Sequence, residues 1–397
     1  MTTDPIYINA CGMLNALGND TTEIFGKLIK GDVSGVSPWE IKVQDKTVYV
    51  GKIQADLPEV PKELAMYDCR NNRLVLAALQ QIEAELEILK QSVPAERIAI
   101  VIGSSTSGIL EGEDALEYKM QHGEYPDQFH YRQQEIGTAS VFLREYLGFN
   151  GLAYTVSTAC SSSAKVFASA RRLIHSGLCD AAIVGGIDSL CRLTVNGFSA
   201  LESVSTGRCN PMSRNRDGIN IGEAAALFLL SKQTSDIRLL GVGESSDAHH
   251  MSAPHPEGKG AIAAMQSALD DAGLTKCDIG YINMHGTATP LNDAMESIAI
   301  NEIFGADVPV SSTKPLVGHT LGAAGGTETG FCWLLLQNSG QPVPLPPHIW
   351  DEAQDERIPG LNLVQPGDTL AVSPGTALLS NSFAFGGNNA SVILGRI

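Results

Sequence analysis

The chain has 397 residues, 43% of them hydrophobic and 18% charged, with a formal net charge of −17. That length builds one large domain or two fused halves, and the acidic balance argues against a nucleic-acid binder, which carries a basic stripe. The eight cysteines are scattered without a Cys-x-x-Cys pair, which argues against a zinc or thioredoxin-like site and for free thiols in a reducing compartment.

The chain opens on Met-Thr-Thr-Asp-Pro, with no basic segment leading into an apolar core, so no signal peptide is expected. No apolar run approaches a membrane span, and the expected location is cytoplasmic. Alternation predicts a strand over 6–10 closed by a turn at Cys11-Gly12, then a helix over 21–29. A mixed stretch over 31–60 holds short strand-like pieces such as 48–53. Leu74, Ala77, Ala78, Ile82, Leu86 and Leu89 predict one long helix over 73–89. It leads into an apolar strand over 98–102 and a Gly/Ser loop, where open α/β sheets place ligands. Residues 110–135 are polar and read as a surface excursion near an entrance. A helix over 139–146 and a strand over 152–156 follow. Next come a small-residue turn around Cys160 and a helix that stops near Gly177. A strand over 181–184 ends in Gly185-Gly186, and a strand run over 219–230 closes the first half. The second half repeats the logic: a helix over 261–272, a strand over 279–284 ending in His285, and a strand over 378–385 running into Gly386-Gly-Asn-Asn389. This predicts an α/β chain with a weak internal duplication, 1–235 and 236–397.

Four turns hold residues suited to chemistry. In Thr155-Val-Ser-Thr-Ala-Cys160, the thiol precedes a helix N-terminus, whose unpaired N–H groups and dipole lower a thiol pKa and bind an oxyanion. A buried structural cysteine is the plainer reading. His285 follows a buried strand in His285-Gly-Thr-Ala-Thr289, with Thr287 and Thr289 two residues apart; alone it reads as a core histidine. Lys314 and His319 stand in Ser312-Thr-Lys-Pro-Leu-Val-Gly-His319, ahead of a small-residue helix expected over 322–330. Asn381-Ser-Phe-Ala-Phe-Gly-Gly387 supplies free backbone N–H groups, or merely a β-turn. His249, His250 and His255 beside Asp247 fit no ligand spacing, and no metal is expected. A thiol, two imidazoles and a lysine on separate sheet-edge turns point to covalent acyl transfer.

These blocks together resemble the β-ketoacyl-acyl carrier protein synthases, the elongating condensing enzymes of fatty acid and polyketide synthesis, over nearly the whole length. The resemblance implies a thiolase fold: two duplicated α/β halves in a five-layer αβαβα sandwich, assembled as a dimer. It implies Cys160 as the acylated nucleophile. His285 and His319 would promote decarboxylation of malonyl-carrier protein and stabilise the enolate, with Lys314 supporting them and Glu296 near that lysine. It implies an oxyanion hole from the N–H groups of Cys160 and Phe385, Phe385 as a gate, and Thr287 and Thr289 against the phosphopantetheine arm of the carrier. That arm is substrate, and no bound cofactor is implied. Residues 108–135 and 196–198, including Phe198, are candidate pocket walls. Asn292-Asp293, Ala288 and Asn388 depart from the family pattern. Cys69-Arg-Asn-Asn-Arg73 and the modest length look like the ketosynthases of aryl polyene pathways, which implies an aromatic or polyunsaturated acyl chain. The partner is then a second copy or a cysteine-less chain-length-factor paralogue.

Two other readings are weaker. A thiolase needs a second catalytic cysteine in the C-terminal turn, where Phe385 stands, and a non-catalytic chain-length factor lacks the cysteine that stands here at 160. Docking of an acidic carrier needs a local basic patch, for which Lys62, Arg70 and Arg73 are the candidates.

Overall fold

The computed structural model describes residues 4–41 and 47–397. Residues 1–3 of the N-terminal reading and 42–46 of the mixed stretch lie outside the described residues. Eleven strands form one continuous sheet. The first half supplies β1 (Ile6–Leu14), β2 (Ile98–Gly103), β3 (Ala153–Val156), β4 (Ala181–Asp188) and β5 (Ala224–Ser231). The second supplies β6 (Ile237–Ser246), β7 (Ile279–Asn283), β8 (Pro309–Ser311), β9 (Asn362–Leu363), β10 (Ala377–Phe383) and β11 (Asn388–Arg396).

The strand order is β9-β8-β7-β10-β11-β6-β1-β5-β4-β2-β3. Leaving out β9, the run β8-β7-β10-β11-β6 repeats β3-β2-β4-β5-β1. The orientations repeat as well. β2 pairs in parallel with β3 and β4, and β7 in parallel with β8 and β10. Apart from the parallel β8–β9 pair, the remaining pairs in each half are antiparallel. The expected duplication is therefore present as topology. The halves join where β1 meets β6, through Ile6 opposite Leu239 and Tyr7 opposite Arg238.

The helices are α1 (Thr21–Leu28), α2 (Arg70–Gln80), α3 (Glu83–Lys90), α4 (Ile109–His122), α5 (Thr138–Leu147), α6 (Ser162–His175), α7 (Arg192–Ala200), α8 (Lys259–Ala272), α9 (Pro290–Phe304) and α10 (Ala324–Gln337). α6 and α10 touch each other and lie between the two half-sheets, while α2 and α5 cover one outer face and α8 and α9 the other. This is a five-layer αβαβα sandwich. The middle layer packs tightly on its sheet: Phe167 of α6, Phe228 of β5 and Phe331 of α10 are fully buried in one cluster, and the Phe167 and Phe228 rings sit edge to face at 5.0 Å. Each such ring contributes about 1.5–3 kcal/mol by burial. No described helix is long and apolar enough to cross a membrane.

Four local expectations are corrected. Cys11-Gly12 lies inside β1, because Gly12 serves close packing: a Cβ there would stand 2.3 Å from the Ala78 carbonyl oxygen of α2. The helix expected over 73–89 is two helices, broken at Ile82, whose φ of −114° and ψ of 8° leave the helical region. The polar excursion at 110–135 contains α4. Finally, β4 runs through Gly185-Gly186 to Asp188 rather than stopping there.

Candidate functional site

The catalytic candidates stand on equivalent turns of the two halves. Cys160 follows β3 and leads into α6; His319 follows β8 and leads into α10. The Cys160 turn is tied by its own small hydroxyls. Ser161 Oγ donates to the Thr158 carbonyl at 3.0 Å and Ser162 Oγ to the Ala159 carbonyl at 2.6 Å, while the Thr158 N–H donates to Ser162 Oγ at 2.8 Å. They hold Ala159 at a φ of 52°, a left-handed conformation that costs an alanine about 1–2 kcal/mol and marks a constrained turn.

The turn is also held from behind. Asp188, fully buried at the end of β4, accepts five hydrogen bonds: from the N–H groups of Ser105, Thr106 and Gly322 and from the hydroxyls of Ser104 and Thr106. Ser105 Oγ in turn donates to the Ala159 carbonyl at 3.3 Å. One carboxylate therefore braces the nucleophile's turn and the segment just past His319.

His285 is set by a second buried carboxylate. Glu296, on α9, accepts from the N–H of His285 at 2.8 Å and that of Gly286 at 2.7 Å. The Lys314 charge reaches Glu296 without pairing with it. The ion-pair partner of Lys314 is Glu328 of α10, and both side chains are buried. Lys314 begins a single helical turn, Lys314–Val317, and its buried charge acts on both imidazoles. His319 is held by its backbone: its N–H donates to the Asn220 carbonyl at 2.6 Å, and its carbonyl accepts from the Gly222 N–H at 2.9 Å.

These supports bring three groups together. His319 Nε2 lies 3.0 Å from Cys160 Sγ. The two imidazole rings stand edge to face, 5.2 Å between centroids, and the three ligating atoms lie within 4.8 Å of one another. Burial pushes the Cys160 thiol up to about 11, against the pull of Lys314 and of the backbone N–H groups of Phe385 and Cys160. Both imidazoles are held well below their usual range by burial and by the Lys314 charge. The expected low thiol pKa is thus corrected: enclosure outweighs the helix N-terminus, and the resting site holds a neutral thiol against neutral imidazoles. His319 can accept the thiol proton. A neutral imidazole can donate to a developing enolate oxygen. Thiol and imidazoles are also soft metal ligands, but the buried Lys314 ammonium disfavours a divalent cation.

A cavity of about 300 Å³ opens onto these groups and is lined as well by Thr287, Thr289, Phe198 and Phe385. The two threonine hydroxyls bond each other at 3.0 Å. Phe198 packs on Phe385 at 5.6 Å between ring centroids. Residues 108–135 do not line it, which corrects that half of the wall expectation. The docking candidates separate too. Arg70 makes a two-point ion pair with the fully buried Glu223, Arg73 chelates Asp68, and Lys62 alone of the three is exposed and outside any described ion pair. Sequence reasoning missed Glu328 and Asp188. The signal for each was a carboxylate inside an otherwise apolar segment, the Gly325–Gln337 run and the 181–188 strand.

The comparisons agree with this geometry. A model of the β-ketoacyl synthase N-terminal domain matches residues 3–235, and one of the C-terminal domain matches residues 237–346. A 3-oxoacyl-[acyl-carrier-protein] synthase 2 of Staphylococcus aureus is 31% identical over 98% of this chain and 97% of its own. Among solved structures, the ketosynthase ApeO of Xenorhabdus doucetiae, in complex with its chain length factor ApeC, is 50% identical with a TM-score of 0.94, covering 99% of this chain and 98% of its own. The ishigamide ketosynthase/chain length factor is 26% identical with a TM-score of 0.88, over the full length of both chains.

Proposed function

The chain belongs to the β-ketoacyl synthase family, and on that premise we propose the role of each group in its reaction. The reaction is an acyl transfer that joins an enzyme-bound acyl group to a malonyl unit on a carrier protein. In the first step His319 takes the Cys160 proton and the thiolate attacks the acyl thioester. The N–H groups of Cys160 and Phe385 hold the oxyanion, and the carrier's phosphopantetheine thiol leaves with the proton. The arm runs past Thr287 and Thr289, and Phe198 and Phe385 form the gate. In the second step malonyl-carrier protein loses carbon dioxide. The electron pair passes to an enolate whose oxygen accepts hydrogen bonds from His285 and His319. The enolate carbon then attacks the acyl carbon, a carbon–carbon bond forms, and the Cys160 thiolate leaves. Lys314, anchored by Glu328, keeps both imidazoles neutral, the form that can donate one proton and accept another. Glu296 fixes the His285 turn.

The 3.0 Å contact between His319 Nε2 and Cys160 Sγ carries this reading. Incubation with acyl-carrier proteins followed by intact mass measurement tests it. An acyl increment on the native protein, absent from Cys160→Ala, is the expected result; no increment from any donor overturns it.

We further infer a division of the chain at 235/236 and a paired assembly with a chain-length-factor-like paralogue, supported by the 50% identical ketosynthase solved with its own. An elongated polyene acyl chain, as the aryl polyene resemblance implies, suits that partner. A carrier-borne substrate and eight free thiols support a cytoplasmic location. Of the three docking cations, we retain Lys62.

A further inference from the structure

α7 carries Phe198 to the mouth of the cavity, yet its own start is poorly made. Its N-cap residue is Cys191, whose side chain makes no capping bond, and its first residue is Arg192, a cation at the positive end of a helix. Both defects are met from outside by α4. Glu113 Oε2 accepts from the Arg192 N–H at 3.0 Å, and Glu113 Oε1 accepts from the Leu193 N–H at 2.6 Å. The Arg192 side chain reaches the same helix, with Nε 3.2 Å from Glu113 and a terminal nitrogen 2.7 Å from Asp114. The Glu113 side chain is 17% exposed, so its bond to the Arg192 N–H is partly shielded from water, while that to the Leu193 N–H lies nearer solvent. Further along α7, Val195 is buried in a small apolar cluster against which Phe198 packs, and Phe198 meets Phe385.

We propose that Glu113 is a positioning residue for the gate: it fixes the start of α7 and thereby sets how far the Phe198–Phe385 pair admits an acyl chain. The proposal rests on the assignment of Cys160 as the acylated nucleophile. Without Glu113 the two N–H groups lose their acceptor, α7 loosens from its start, and Phe198 withdraws from Phe385. A long chain then gains access while a small reagent, already admitted, gains little.

The test uses the full chain and compares alkylation of Cys160 by iodoacetamide with alkylation by N-dodecyl iodoacetamide, read by mass. Glu113→Ala is expected to raise the long-to-short rate ratio roughly fivefold, the shift that losing a helix cap of ordinary strength allows. Glu113→Gln keeps one acceptor and turns an amide donor toward the other N–H, so it gives a smaller rise; it serves also where the alanine variant does not fold. In a Phe198→Ala background the ratio is already high, and Glu113→Gln adds nothing further. A ratio unchanged or lowered in both Glu113 variants, with only the melting temperature reduced, overturns the proposal and leaves Glu113 a structural cap. Acylation of the native protein by acyl-carrier protein, run alongside, reports on the catalytic assignment separately, because the alkylation ratio is readable whether or not that acylation occurs.

Discussion

The two halves share one strand order but use their equivalent turns differently. In the first half the turns after β2 and β4 meet each other: Asp188, at the end of β4, gathers the Ser104–Thr106 backbone and hydroxyls. In the second half the turns after β7 and β10 face the cavity and carry His285 and Phe385. Only the turns that lead into the central helices act in both halves, one with Cys160 and the other with His319. A duplicated fold thus places the thiol on one copy and both imidazoles on the other, the division that the proposed mechanism uses. The buried carboxylates follow the same division. Asp188 braces the Cys160 turn from behind, through Ser105, and Glu296 braces the turn that carries His285 directly.

Breaking the brace is expected to have the largest effect. Asp188→Ala strands five donors, four of them fully buried, and should cost about 4 kcal/mol or more in chemical denaturation, with acylation lost through unfolding. His319→Ala sharpens the contrast. It should slow Cys160 acylation roughly a hundredfold or more while moving the denaturation midpoint little.

Glu296 gives a smaller, pH-dependent signature. Burial raises its pKa from the ordinary 4.5 to about 7, with the His285 and Gly286 N–H groups pulling back. The folded protein therefore holds a proton that the unfolded chain releases between those values. Its contribution is most favourable below the lower value and falls by about 3 kcal/mol as pH rises through the window. Glu296→Gln should flatten that part of a stability-versus-pH curve, and an unaltered slope would refute the assignment.

Gly325→Ala tests the join between the central helices. Its methyl would stand 2.6 Å from the Ala164 nitrogen, so about 1–3 kcal/mol of destabilisation by thermal melting is expected. The smallest effect is at Lys62. Lys62→Glu should weaken carrier binding by about threefold at low salt, the scale of one exposed charge pair, and less at high salt.

Much of this site is legible in the sequence because its pieces are local. A buried strand running into a turn rich in glycine and small residues announces itself, and Cys160, His285 and His319 each stand on such a turn. What the chain hides is pairing across distance. Glu296 is near enough in sequence to be tied to the site, but the partner of Lys314 is one helix further on, and only the fold distinguishes two buried glutamates. The α2–α3 break was invisible because Ile82 continues the apolar period while leaving the helical region. α4 was masked by charge: Glu111 and Glu113 read as solvated, whereas they accept the Arg70 N–H and the first N–H groups of α7. The thiol pKa was misjudged because a helix N-terminus is visible in sequence and enclosure is not.

The contact of Gly325 with Ala164 has a mechanical consequence. Two helix starts set the separation of the halves near the paired sulfur and imidazole, pressed together with no room for a methyl group and tied by the Gly326 N–H, which donates to Ser163 Oγ at 2.7 Å. The gap between sulfur and imidazole is thus a gauge of the seam between two topologically repeated halves, and loosening of that seam is felt there first. A protein loosened by mild denaturant would lose thiol-to-imidazole proton transfer while its outer layers were still intact, so catalysis reports the fit between the halves more sensitively than unfolding does.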